Sequence, residues 1–187
     1  MSFKKSLVCL GFATLAFSSV SMAADFGVST GTVDFNGTIV NTPCSITAAN
    51  QNLKVDLGNV PAADFAKKGD IGGSPKQFTI VLSNCTVLAA PYKATVSFGG
   101  LGADVGKTSL ATSAGQDTSG QPVATGVGIR IVEGNSTTPV VLDKFGTAVD
   151  ITQPEMHLEY AAQYVSIADA VTPGLANGHA DFTVAYE

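Results

Sequence analysis

Tryptophan is absent from this chain of 187 residues, and only two histidines and three cysteines occur. So few imidazoles leave little material for a histidine-based metal centre or acid–base pair. The missing tryptophan also argues against an antibody-type domain, whose core is built around one. Basic residues are scarce: 10 Lys and Arg face 15 Asp and Glu, and a formal charge of −5 speaks against nucleic acid as a partner. Charged residues make up 13% of the chain against 45% hydrophobic, which excludes long disordered tails. No stretch follows the helical period over any length, no repeat recurs at fixed spacing, and no linker divides the chain. Turn formers, by contrast, are plentiful, with 20 Gly and 8 Pro, as an all-β domain requires.

The first 23 residues have the layout of a secretory signal peptide. Lys4 and Lys5 precede an apolar run from Leu7 to Phe17, and Ser21, Met22 and Ala23 follow. The run is too short to cross a bilayer, which takes about 20 residues. Cleavage falls after Ala23 or Ala24. Loss of both lysines takes the formal charge from −5 to −7. Cys9 leaves with the leader, so Cys44 and Cys85 remain as an even pair in an oxidising compartment, which reads as a disulfide. A catalytic thiol would need a reducing environment and a histidine partner, so the structural reading is preferred.

Alternating apolar positions recur at short intervals, separated by turn formers. They predict strands around Leu53, Val55 and Leu57, ending at Gly58; Phe78, Ile80 and Leu82; Ala94, Val96 and Phe98; and Val127, Ile129 and Ile131, with Arg130 opposite. Further strands are predicted over Met156 to Tyr164 and through Phe182, Val184 and Tyr186. Pro139 to Phe145 is a short apolar segment, residues 61–70 allow one helical turn, and 101–122 reads as a loop with room for a short strand. Short strands at such spacing predict a β-sandwich.

Candidates for chemistry are few. Glu155, His157 and Glu159 share one face of a strand and could converge on a metal, but Met156, Leu158 and Tyr160 alternate with them, the pattern of a solvated face over a core. His179 stands in a turn-like stretch without a partner. Gly99-Gly100-Leu101-Gly102 lacks the lysine and the helix of a phosphate loop, and Gly126-Val127-Gly128 fits a bulge inside a strand. Asn-x-Ser/Thr triplets start at Asn36, Asn84 and Asn135. The expectation is a protein with no catalytic site, no metal and no cofactor.

The two ends of the mature chain are more informative. Gly31, Val33, Phe35, Gly37 and Ile39 fall on one face of an extended segment, with Asp34, Asn36 and Thr38 on the other. The segment Phe35-Asn36-Gly37-Thr38-Ile39-Val40-Asn41, followed by Cys44, resembles the start of a type 1 fimbrial subunit of the chaperone–usher pathway. So do Leu82-Ser83-Asn84-Cys85, Gly174 as the fourteenth residue from the C-terminus, and the penultimate Tyr186. It is the combination within one chain that carries the resemblance.

That resemblance implies an incomplete immunoglobulin-like β-sandwich lacking its last strand. A donor strand from a neighbouring subunit completes it, and a periplasmic chaperone lends a strand beforehand. It implies a signal peptide at 1–23, a donor extension at 24–39 and a pilin domain at 40–187. Gly31, Val33, Phe35, Gly37 and Ile39 would form the donor strand. Gly174, Phe182, Val184, Tyr186 and Glu187 would form the acceptor groove and the chaperone contact. Expected partners are neighbouring subunits in a homopolymer, the periplasmic chaperone and an outer-membrane usher, ending in a cell-surface fimbria of a Gram-negative bacterium. A donor extension without room for a receptor-binding domain favours a rod or linker subunit, the major rod subunit first. The competing reading is a self-contained exported β-sandwich that binds a glycan or small ligand.

Overall fold

Alternating apolar residues become a strand only where a neighbour can satisfy the backbone, and the pattern is met along most of this chain. The computed structural model describes residues 31–35, 42–112, 122–134 and 136–187. It separates into two units, Met1–Ile39 and Val40–Glu187. The leader and the positions Asn36, Gly37, Ile39 and Asn135 lie outside the described residues.

The second unit is all-β among the described residues, apart from a four-residue helix, α1 (Ala48–Gln51), and a single 3-10 turn at Ala62–Asp64 within the stretch expected to hold one turn. Its strands are β1 (Ser45–Ile46), β2 (Ile71–Ser83), β3 (Lys93–Gly99), β4 (Leu110–Ala111), β5 (Val127–Glu133), β6 (Val149–Asp150), β7 (Met156–Ser166) and β8 (Asp181–Tyr186). Five of them form a sheet in the order β1-β2-β7-β5-β4 and three form another in the order β6-β3-β8. All the named pairings are antiparallel.

The inward faces of both sheets meet in one core. Ile80 and Leu82 of β2, Ile129 and Ile131 of β5, and Leu158 and Tyr160 of β7 pack with Ala94, Val96 and Phe98 of β3. Phe98 stands edge-on to Tyr160, with ring centres 4.9 Å apart, and Phe78 stacks on Tyr160 at 5.7 Å. These aromatics join one sheet to the other. The expected disulfide is present: Cys44 and Cys85 are bonded across 41 residues and lie in the same core.

Several local expectations differ from the structure. Alternation holds in the first half of β7, where His157 and Glu159 are exposed, but Ala161 and Val165 are buried as well as Ala162. Pro139 to Phe145, expected only as a short apolar segment, is tied down by isolated bonds such as Val140 N to the Ile131 carbonyl. Gly126 does not bulge a strand but turns the chain just before β5, with φ of 76°. The segment at Leu53, Val55 and Leu57 is extended yet belongs to neither sheet. The reason for this last difference emerges at the site.

Candidate functional site

Strand β8 lies at the edge of its sheet, and its register fixes which backbone groups are free. Lys93 and Glu187 exchange both of their hydrogen bonds, at 2.8 and 3.0 Å. In an antiparallel ladder such doubly bonded pairs recur at every second residue. Thr95–Ala185, Ser97–Thr183 and Gly99–Asp181 are therefore the bonded pairs of β3 and β8. The N–H and C=O groups of Phe182, Val184 and Tyr186 point the other way, out of the sheet edge. Their side chains turn inward and pack, half-buried, against the core. Three residues thus combine an open backbone edge with incompletely covered apolar side chains.

Opposite this edge runs the extended segment 53–60. None of these residues makes a backbone hydrogen bond to another strand; Gly58 N is held only by the Asp56 carboxylate, at 2.9 Å. Val55 and Leu57 pack on the core while Leu53 is exposed. Between the two walls lie two adjoining cavities. The first, about 570 Å3, is floored by Phe78, Phe98, Ile129 and Ile131 and flanked by Val55 and Phe182. The second, about 780 Å3, continues past Val60, Phe65, Val127 and Tyr164 to Gly174 and Leu175. Leu53, Val55, Leu57, Ile129 and Gly178 line both, so the two form one groove. Its length and apolar floor suit an extended strand with alternating apolar side chains.

Burial pushes the Tyr164 phenol above its ordinary pKa, and Asp56 nearby adds to the effect; its hydroxyl donates to the Ala176 carbonyl at 2.9 Å. Burial likewise raises the pKa of Tyr186. Charged side chains also line the groove: Lys54 borders both cavities, Asp181 the first and Asp56 the second.

Of the residues expected at an acceptor groove, Gly174 and Phe182 line the cavities, and Val184 and Tyr186 lie farther along the same open edge. Glu187 closes β8 against Lys93. Gly174 is glycine for a steric reason. A Cβ there would come within 3.0 Å of backbone atoms of Pro122, Val123 and Ala124, where Leu175 bonds to Pro122 and Ala124. Of the residues expected in a donor strand, Gly31, Val33 and Phe35 lie in the described stretch 31–35, with Val33 74% and Phe35 92% exposed. Gly37 and Ile39 lie outside the described residues. Segment 53–60 and the floor residues Phe78, Phe98, Ile129 and Ile131 were not singled out as site residues from sequence. The alternation at 53–57 was the available signal.

The other candidates form no such arrangement. His157 lies 3.1 Å from Glu155, and both side chains are more than half exposed; Glu159 is exposed beside them. His179 pairs with Asp181 at 3.4 Å on the surface. Among the described residues, no group of three His, Cys, Asp or Glu side chains is placed to hold a metal ion.

Comparison with known proteins gives a consistent picture. A family model described as fimbrial protein matches residues 33–187. The chain is 38% identical to a probable major fimbrial subunit, LpfA, of Escherichia coli O157:H7, with all of both chains covered. It is 32% identical to the type-1 fimbrial protein A chain of Escherichia coli K12, with 98% of each covered. Among solved structures, a chaperone–usher pilus subunit from a study of rod uncoiling is 27% identical with a TM-score of 0.66, covering 85% of this chain and 96% of that one. The P pilus rod subunit PapA has the same fold, with a TM-score of 0.63 at 23% identity, covering 78% of this chain and all of that one.

Proposed function

The chain belongs to the fimbrial protein family, and from that premise we propose how it joins its neighbours. It is a structural, non-enzymatic subunit of a Gram-negative cell-surface pilus and assembles with other pilus subunits. Its fold is the incomplete immunoglobulin-like sandwich of chaperone–usher pilus subunits. In the proposal, residues 24–39 of one subunit lie in the groove of the next as the missing strand. Val33, Phe35 and Ile39 then enter the apolar floor, and Gly31 and Gly37 let the two backbones approach.

The observation that carries this reading is the paired openness of the groove. The edge of β8 at Phe182, Val184 and Tyr186 and the unbonded segment 53–60 face a common apolar floor. One inserted strand would satisfy both walls. Burying three large apolar side chains contributes roughly 1.5–3 kcal/mol each before ordering costs, and a row of backbone bonds adds to it. The same groove left open is an aggregation hazard, which supports a periplasmic chaperone that lends a strand, with contacts at Tyr186 and Glu187, and an outer-membrane usher that receives the complex. Export would begin with removal of the leader at 1–23. Relatives that are major or A-chain subunits support a rod-forming role.

The test is a pair of thermal melts. One variant lacks residues 24–39; the other carries that segment at its C-terminus through a flexible linker. The second should melt far higher, because the segment completes the sandwich from within. Equal, cooperative, high melting of both would mean that the fold is complete without a donated strand, and the proposal would fall.

A further inference from the structure

An apolar floor fixes which face of an inserted strand turns inward, but it fixes the strand's position only loosely. Gly31, Val33, Phe35, Gly37 and Ile39 recur at every second residue. A slip by one residue turns all of them away from the floor. A slip by two keeps them inward and moves the strand by only about 7 Å. The floor distinguishes such registers by side-chain size alone, whereas charges on the outward face distinguish them by sign.

The groove carries such charges. Along 53–57, Val55 and Leu57 pack on the core while Lys54 and Asp56 between them are exposed. Lys54 borders both cavities and so stands where they join, midway along the groove. It is the one Lys or Arg lining either cavity, and it forms no salt bridge among the described residues. Carboxylates stand to either side of it. Asp56 borders the second cavity and accepts from Gly58 N; Asp181 borders the first and pairs with His179. Residues 24–39 carry only two charged side chains, Asp25 and Asp34, both acidic. Asp34 is exposed and stands between Val33 and Phe35 in the sequence, on the face opposite theirs.

We infer that Lys54 of an accepting copy recognises the Asp34 carboxylate of the donated segment, and that this pair selects the register in which the strand seats. The inference rests on the strand donation proposed above. Facing residues on adjacent strands have Cβ atoms about 5 Å apart, well within a lysine's reach. With Asp34 beside Lys54, Val33 and Phe35 fall on either side of the joint between the cavities. Slipped two residues one way, Asp34 meets Asp56, a like charge. Slipped the other way, it exchanges Lys54 for the uncharged Asn52. Lys54 is thus a specificity-determining residue: it favours a segment with a central carboxylate and rejects one with a cation there.

Competition between peptides tests this. The acceptor is the full-length mature chain carrying Phe35→Asp, whose own segment lacks its central anchor. Isotope-labelled synthetic peptides of residues 24–39 compete for it in pairs, and native mass spectrometry reads their relative occupancy. An exposed cross-strand ion pair shifts an equilibrium by about twofold to fivefold. The preference for the natural peptide over its Asp34→Lys form should therefore change by about tenfold when the acceptor also carries Lys54→Glu. Lys54→Gln, a milder change, should give an intermediate value. A further peptide with Asp34→Asn and Asn36→Asp keeps composition and net charge but moves the carboxylate by two residues. The Lys54 acceptor should favour the natural peptide over this one by about threefold, and the Lys54→Gln acceptor should hold the two near parity. Both preferences should shrink in about 1 M salt, where screening acts within roughly 3 Å. Preferences unchanged by either substitution at Lys54 would overturn the pair and leave strand donation standing. Equal binding of the natural and the charge-moved peptide to the Lys54 acceptor would reduce the effect to net charge and overturn the selection of register. Binding of no peptide to any acceptor would overturn strand donation and the inference with it.

Discussion

Gly174 shows how much a single side chain can decide here. It sits at the far end of the groove, where residues 122–124 run so close that no Cβ fits without moving backbone. Alanine at this position forces apart two segments joined by the Ala124–Leu175 and Leu175–Pro122 bonds, at 2.9 and 2.8 Å. Overpacking of this kind costs about 1–3 kcal/mol. Gly174→Ala should therefore lower the urea midpoint of the unassembled chain with an unchanged slope and weaken capture of the donated segment. An unaltered midpoint would show that the segment 122–124 yields freely and that the groove end is not rigid.

At the scale of the element, β8 makes the sharpest statement. Its ladder with β3 uses the amides of Thr183 and Ala185, while those of Phe182, Val184 and Tyr186 have no partner strand. Hydrogen exchange on unassembled chain should be slow at the first two and fast at the other three. In fibres all five should be slow, because the inserted strand bonds to the open edge. Slow exchange at all five before assembly would mean that another segment already fills the groove. The same logic explains what could be read from sequence and what could not. The alternation Leu53, Val55, Leu57 predicts a strand, and the segment is indeed extended with two of its side chains on the core. Alternation reports which face is buried; it carries no information on whether a partner strand exists, so the open wall looked like any other strand. Phe182, Val184 and Tyr186 were legible as a strand because they alternate within one short run, and their place in a groove was implied only by the family resemblance. The floor was not legible, since Phe78, Phe98 and Ile131 come from three strands and meet only through long-range pairing.

For the molecule as a whole, the Cys44–Cys85 bond has to be weighed against the missing strand. The loop it closes, 41 residues in sequence, contains the unbonded wall at 53–60 and the whole of β2. Closing a loop of this length restricts the unfolded chain by roughly 4 kcal/mol on the chain-entropy model. Domains of this size keep only about 5–15 kcal/mol in total, and this one lacks the backbone bonds and apolar cover that a further strand supplies. The disulfide thus accounts for a large share of what holds the sandwich before assembly, and a smaller share once a strand is donated. Cys44→Ser should leave the subunit largely unfolded when its groove is empty. The same substitution in the variant that carries residues 24–39 at its C-terminus should remain folded, with a lower melting temperature. Equal tolerance of Cys44→Ser in both backgrounds would show that the two contributions do not draw on the same marginal stability, and that the open sandwich is held by its core alone.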